Sequence, residues 1–167
     1  MTQHEKAISA VTWGFIMALT VSQIASSFLL YNQAGLEVLR NIGWITLWGA
    51  GFFGVAPIFT LRRRGGVSGG QSYIHTTVLV VSGIYAVVRH PQYLSFMLLN
   101  TGLILVAQRG LITVLGVAAI GLDYLIALEA DREAIAKFGD DYKLYMDRVP
   151  SQFSYRTRPV AATQKAR

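Results

Sequence analysis

The stretch Gly83-Ile84-Tyr85-Ala86-Val87-Val88-Arg89-His90-Pro91-Gln92-Tyr93 sets a permanently charged guanidinium, an imidazole and two phenols beside a proline. Proline suits the first turn of a helix, where free backbone N–H groups and the positive end of the helix dipole gather. An arginine there can hold a carboxylate or phosphate through two parallel hydrogen bonds. Those features converge on anion binding. The plainer alternative is a positively charged loop capped by proline, with tyrosine at the membrane interface.

A second group, Glu129, Asp131, Arg132 and Glu133, follows a long apolar stretch. Its acids suit a cation, and beside Arg89 and His90 they would complement a zwitterion. They could also be a solvated helix end, or Asp131 could pair with Arg89 simply to fasten a helix bundle. Asp123 stands apart from both groups, inside apolar sequence, where a carboxylate usually faces a cavity or a partner. The run Gly49-Ala50-Gly51-Phe52-Phe53-Gly54 has the spacing of a dinucleotide loop, but no strand precedes it and two tryptophans and two phenylalanines surround it. Close helix packing explains it better than a nucleotide site.

The elements that hold these residues follow from hydropathy. The 167 residues are 53% hydrophobic and 14% charged, with a mean hydropathy of +0.42, too apolar for an ordinary soluble domain. Sixteen glycines suit close-packed membrane helices, and the lack of cysteine excludes disulfides, cysteine nucleophiles, thiolate metal sites and iron–sulfur clusters. A net charge of +6 raises nucleic acid as a partner, but the charges lie between apolar runs and not on a basic face, so no nucleic acid is expected.

Crossing roughly 30 Å of hydrocarbon takes roughly 20 apolar residues. The sequence predicts an all-α polytopic membrane protein with about four spans, near 7–31, 38–61, 91–107 and 110–128. The first apolar run is too long for the core of a cleaved signal peptide, roughly 7 to 15 residues. Thirteen of the fifteen Lys and Arg residues fall on one side of that arrangement, leaving Arg40 and Arg109 on the other. The bias toward cytoplasmic basic loops then puts both termini and the site on the cytoplasmic side, with the inner membrane of a prokaryote as the expected location.

Residues 65–88 resist a simple helix, because glycines open the segment, β-branched residues crowd 76–81, and Ser82-Gly83 breaks it again. An extended or re-entrant segment lining a site is expected, the alternative being part of a fifth span. Such backbone is tolerated at membrane depth only under protein or beside a wet cavity. Beyond the last span, Ile135, Phe138, Tyr142, Tyr145 and Val149 form one apolar stripe. It belongs to a cytoplasmic helical lid over 129–150, broken at Gly139, with an Asp cap and a new short helix to about Arg148. Residues 1–150 thus form a single membrane-embedded domain, and 151–167 a flexible basic tail.

Two blocks, G-I-Y-A-V-V-R-H-P-Q-Y-L at 83–94 and E-A-D-R-E-A-I-A-K-F-G-D-D-Y-K-L-Y-M-D-R-V-P at 129–150, resemble a known pattern. It is that of the integral membrane methyltransferases that include isoprenylcysteine carboxyl methyltransferases and phospholipid N-methyltransferases. The likeness rests on the R-H-P-x-Y motif and on acids followed by F-G-x-x-Y-x-x-Y-x-x-x-V-P, over roughly the C-terminal half. It implies an enzyme that binds S-adenosylmethionine, whose amino-acid end is a zwitterion, through Gly83, Tyr85, Arg89, His90, Pro91, Tyr93, Glu129 and Asp131. Asp131, Glu129 and Arg89 would be catalytic. Ala130 replaces the first acid of the family's Glu-Glu pair, Glu129 stands one place earlier, and Ser95 stands where a glycine often closes the motif. Both acids therefore remain candidates.

The resemblance further implies in-line methyl transfer to a lipophilic acceptor, a lipid or lipidated small molecule entering from the bilayer, with no metal. Alignment of two reactants can supply roughly 7 to 11 kcal/mol. A carboxylate acceptor needs no base, whereas an amine acceptor must lose a proton, for which Asp131, Glu129 or His90 would serve. Two other readings compete. One is an NADPH-dependent sterol-type membrane reductase, with Arg62, Arg63 and Arg64 on the 2′-phosphate. The other is a non-catalytic membrane bundle.

Overall fold

The computed structural model describes residues 3–30, 35–66 and 76–151, with side chains from residue 11 onward. Five α-helices account for most of them: α1 (Gln3–Leu29), α2 (Glu37–Arg64), α3 (Pro91–Ala107), α4 (Gly110–Phe138) and α5 (Asp140–Arg148). A single 3-10 turn, Gly83–Ala86, precedes α3. No strand occurs among the described residues. The segment 67–75 and the tail from residue 152 lie outside them, so part of the expected extended segment and nearly all of the expected flexible tail do too.

Three stretches, Val11–Leu29, Glu37–Arg64 and Gly110–Phe138, are long and apolar enough to cross a membrane. The expected fourth, α3, has the expected bounds but only 17 residues, roughly 25 Å of helix against roughly 30 Å of hydrocarbon. The helices carry their large apolar side chains outward: Trp48 is 81% exposed and Phe28 84%. Extended apolar surface of that kind marks a face that meets lipid or protein. α2 begins with Glu37 and ends with Arg62, Arg63 and Arg64, charges that oppose the helix dipole at each end.

The chain forms two compact units, Met1–Val55 with Gln92–Leu128 and Ala56–Pro91 with Glu129–Arg167. In the first, glycines let helices approach closely. A Cβ on Gly43 would lie 2.9 Å from the Val106 backbone nitrogen and 3.0 Å from the Gly102 carbonyl oxygen. Within the 49–54 run, only Gly54 packs tightly, against the Ser95 hydroxyl at 2.9 Å, while Gly51 faces open space. Ser95 in turn donates to the Ala50 carbonyl at 2.7 Å. At one end of this unit the Gln108 amide clamps Leu36, accepting from its N–H and donating to its carbonyl, both at 2.8 Å.

In the second unit the chain leaves α2 through Gly65 and Gly66, the latter at φ +63°. Residues 76–82 are irregular, which sets aside a continuous fifth helix over them. The Gly65 carbonyl accepts from Thr77 N–H at 2.9 Å, Arg64 donates to the Ser82 hydroxyl at 2.7 Å, and Lys137 donates to the Thr76 carbonyl at 2.6 Å. α4 passes 128 without a break, so the first part of the expected lid is a continuation of that helix. Its 29 residues measure roughly 43 Å, longer than the hydrocarbon core, and its charged end from Glu129 lies beyond the apolar part. Gly139 at φ +60° ends it, and α5 starts directly after. The expected Asp cap is absent: Gly139 holds the cap position without a side-chain bond, and Asp140 pairs with Lys143 at 2.8 Å. Tyr142, Tyr145 and Val149 are buried, with Ile135 and Phe138 packed against them, as the stripe predicts.

Gly43→Val should lower stability by about 1–3 kcal/mol, because backbone atoms meet the new side chain. Gly51→Ala should be neutral or slightly stabilising. Thermal unfolding in detergent measures both, and equal losses would contradict the close approach at Gly43.

Candidate functional site

The second unit holds most of the residues singled out above. The 3-10 turn opens at Gly83, whose φ of +65° suits a residue without Cβ. A side chain there would lie 3.2 Å from Thr60. The turn delivers Arg89 and His90 to the foot of α3, where Pro91 occupies the first helical position. The Arg89 N–H is fixed by the Pro150 carbonyl at 3.1 Å, which ties the motif to the chain beyond α5.

Asp131 is the focus. Its Oδ1 accepts from the Tyr142 hydroxyl at 2.6 Å and from His90 Nε2 at 2.7 Å, which makes Nε2 the protonated ring nitrogen. Arg89 Nη1 stands 3.3 Å from both Oδ1 and Oδ2. The side chains of Arg89, His90 and Asp131 are 8 to 11% exposed. Burial alone would raise the Asp131 carboxyl, but the hydrogen bonds from His90 and Tyr142, with the charges beside it, outweigh burial and hold it below its ordinary value. Burial and the neighbouring carboxylate push the Tyr142 phenol well above its ordinary value, so it stays a donor.

The other expected residues distribute differently. Glu129 points outward and pairs with Arg132 at 2.8 Å, both well exposed, and so does not join Arg89 and His90. Tyr85 contributes its carbonyl, which accepts from the Tyr145 hydroxyl at 2.6 Å. Tyr93 belongs to the first unit, its ring stacked on Trp13 at 5.8 Å. Tyr142 was legible only as a member of the apolar stripe. The signal for more was its phenol, since a buried tyrosine hydroxyl nearly always finds a partner.

Two features leave the site with capacity to bind. Among the described residues Arg89 Nε is buried with no hydrogen-bond partner, and Asp131 Oδ2 makes a long contact of 3.3 Å with Nη1 while the shorter bonds go to Oδ1. A cavity of about 620 Å³ lies in the same unit, lined by Val78, Leu79, Val81, Phe138, Leu144 and Tyr145 with Asp141 and Arg148. Tyr145 links cavity and acid: its ring meets Tyr142 edge-on at 5.6 Å. An anion could take the free guanidinium N–H, a cation the second carboxylate oxygen, and an apolar group the cavity. No protein-family model, no curated protein and no solved structure matches the chain.

Asp131→Ala strands three buried donors, from Arg89, His90 and Tyr142, and should cost about 3–5 kcal/mol. Tyr142→Phe should cost about 1–3 kcal/mol, and Glu129→Ala should stay within about 0.5 kcal/mol, all by denaturant unfolding in detergent. Because the folded carboxyl is lowered, its contribution is complete above the ordinary carboxylate value of about 4 and is lost as pH falls through the lower folded value. The acid limb of a stability profile should therefore flatten in Asp131→Asn.

Proposed function

We propose that the chain is an integral membrane methyltransferase that uses S-adenosylmethionine and acts on a lipophilic acceptor, an isoprenylcysteine-type carboxylate or a phospholipid amine. One observation carries this reading: the buried Arg89–Asp131 pair keeps a spare donor at Nε and a weakly engaged acceptor at Oδ2, and Tyr142, which holds Asp131, packs on Tyr145 in the wall of a largely apolar cavity of the same unit. That pairing of capacities fits an α-amino acid end, carboxylate toward Arg89 and ammonium toward Asp131. The volume lies within the range of small-molecule sites, roughly 300–1,000 Å³. The resemblance at 83–94 and 129–150 points the same way.

When bound, S-adenosylmethionine supplies a sulfonium methyl group, an electrophile that needs neither metal nor covalent enzyme intermediate. The chain's part is to bind, orient and exclude water. Tyr142 and His90 hold Asp131 ionised and correctly turned, leaving its outer oxygen as an acceptor. The turn at 83–86 and the Pro150 carbonyl hold Arg89 from the other side. Val78, Leu79, Val81 and Leu144 offer an apolar wall for a lipid chain. With a carboxylate acceptor no proton moves; with an amine, Asp131 or His90 accepts one. In this reading α3 serves as a fourth, short crossing, and both termini and the site are cytoplasmic, a side that the bias of Lys and Arg toward one face supports.

A second reading has a specific observation behind it. Arg89 and Asp131 contact each other directly, so the network could serve only to fasten the unit. The two readings part at Arg89→Lys, which keeps a cation near Asp131 but loses the guanidinium fork. Calorimetric titration of S-adenosylhomocysteine into the detergent-purified protein should show binding that weakens at least about tenfold in Arg89→Lys, with little change in melting temperature. Binding of NADPH with no response to either adenosyl ligand would overturn the assignment in favour of a reductase, and no binding of any of them would leave the fastening role. Radiolabelled S-adenosylmethionine with a membrane lipid extract should then label a lipid fraction, and base-labile label identifies an ester.

A further inference from the structure

The first unit buries a polar group that the proposed methyl transfer does not use. Thr20 and Gln23 on α1, Asn100 on α3 and Asp123 on α4 are 0 to 5% exposed, in helices otherwise packed through apolar residues such as Ile16, Ile112 and Ala119. Thr20 and Gln23 are three residues apart and share a helix face. A Cβ on Gly116 would overlap the Gln23 amide nitrogen, so glycine there makes the room for it. None of these polar residues other than Asp123 was singled out from the sequence, although Thr20 and Gln23 at helical spacing inside an uncharged run were visible.

Donors and acceptors do not balance in this group. Gln23 Nε2 spends its two hydrogens on the carbonyls of Asn100 and Ile112, at 3.1 and 3.3 Å. Asn100 Nδ2 spends its own on the Phe96 carbonyl at 2.8 Å and on Asp123 Oδ2 at 3.4 Å. Among the described residues four oxygens are left without a partner: Thr20 Oγ1, Gln23 Oε1, Asn100 Oδ1 and Asp123 Oδ1. Exchanging the two ends of either amide would not repair this, since each nitrogen already serves carbonyl or carboxylate oxygens. Asp123 makes no ion pair with a basic side chain among the described residues.

We infer that Thr20, Gln23, Asn100 and Asp123 form a binding site for a dehydrated alkali cation of the Na+ class inside the helix bundle. Such an ion takes lone pairs from the carboxylate, the two amide carbonyls and the hydroxyl, and only the Thr20 hydroxyl hydrogen still asks for an acceptor. A single proton on Asp123 would supply one O–H donor, enough for one of the two amide carbonyls, and would leave the other unpaired, a costly condition in an apolar interior. One carboxylate matches one monovalent charge, whereas a divalent ion would leave a net charge buried. Hard oxygen donors of carbonyl, hydroxyl and carboxylate type are those that hard cations prefer.

The test is thermal unfolding of the full chain in detergent, titrating NaCl, KCl or LiCl against N-methylglucamine chloride at constant ionic strength. The melting temperature should rise saturably with an alkali ion, by about 3–6 °C at tenfold over half-saturation, and not with N-methylglucamine. Asp123→Asn should abolish the response. Should that variant fail to fold, Thr20→Val decides: it removes only an unpaired oxygen, so it should shift half-saturation to roughly tenfold higher salt without lowering the cation-free melting temperature. A wild-type protein that responds to pH but equally to every chloride salt would overturn the proposal in favour of a protonated carboxyl. An alkali response that survives unchanged in Thr20→Val and Asp123→Asn would overturn it as well.

Discussion

Asp131 carries a negative charge into a place where water can hardly reach it, and the second unit is organised around that charge. A buried carboxylate is tolerated only when donors surround it, and here they come from two stretches of chain distant from it in sequence: Arg89 and His90 from the loop before α3, Tyr142 from α5. Since α4 carries Asp131, satisfying one acid draws three segments together. Two backbone bonds complete the arrangement, from Arg89 N–H to Pro150 and from Tyr145 to Tyr85. The apolar contacts of Tyr142, Tyr145 and Val149 then form on the side of α5 that the hydroxyl bond already turns inward.

The same network explains why a site could form here. Ion pairs that consume every donor and acceptor are structural fasteners. This one is asymmetric among the described residues: Oδ1 is crowded by His90, Tyr142 and Arg89, while Oδ2 has the long Arg89 contact and Nε has no hydrogen-bond partner. The first unit follows another rule. Its close helix approaches rest on Gly43 and Gly102, and without bulk hydrophobic drive between lipid-facing helices such approaches and internal hydrogen bonds hold a bundle together. Its polar residues are therefore conspicuous where their oxygens remain unpaired.

The sequence marked out most helices and the loop motif because both are local. Apolar runs report their own length, so α2 and α3 fall within a few residues of their expected bounds. Glycine at 139 and aromatic residues at helical spacing announced the break and the buried face of α5. Charged residues were harder. Glu129 and Asp131 look alike in sequence, two residues apart, yet on a helix that separation turns them to different faces, and only Asp131 faces inward.

What the sequence determined by itself was composition and period: long uncharged stretches, a basic bias at their ends, and arginine, histidine and proline together before a helix. Tertiary structure decided which acid meets the arginine, that a tyrosine from the apolar stripe supplies the third donor, that α4 runs on through Phe138, and that Gln23, Asn100 and Asp123, from three helices, are joined by buried hydrogen bonds. The reason is physical. Helix formation depends on neighbours within a turn, whereas satisfying a buried charge or amide depends on groups far apart in the chain, and nothing local records which of them will meet.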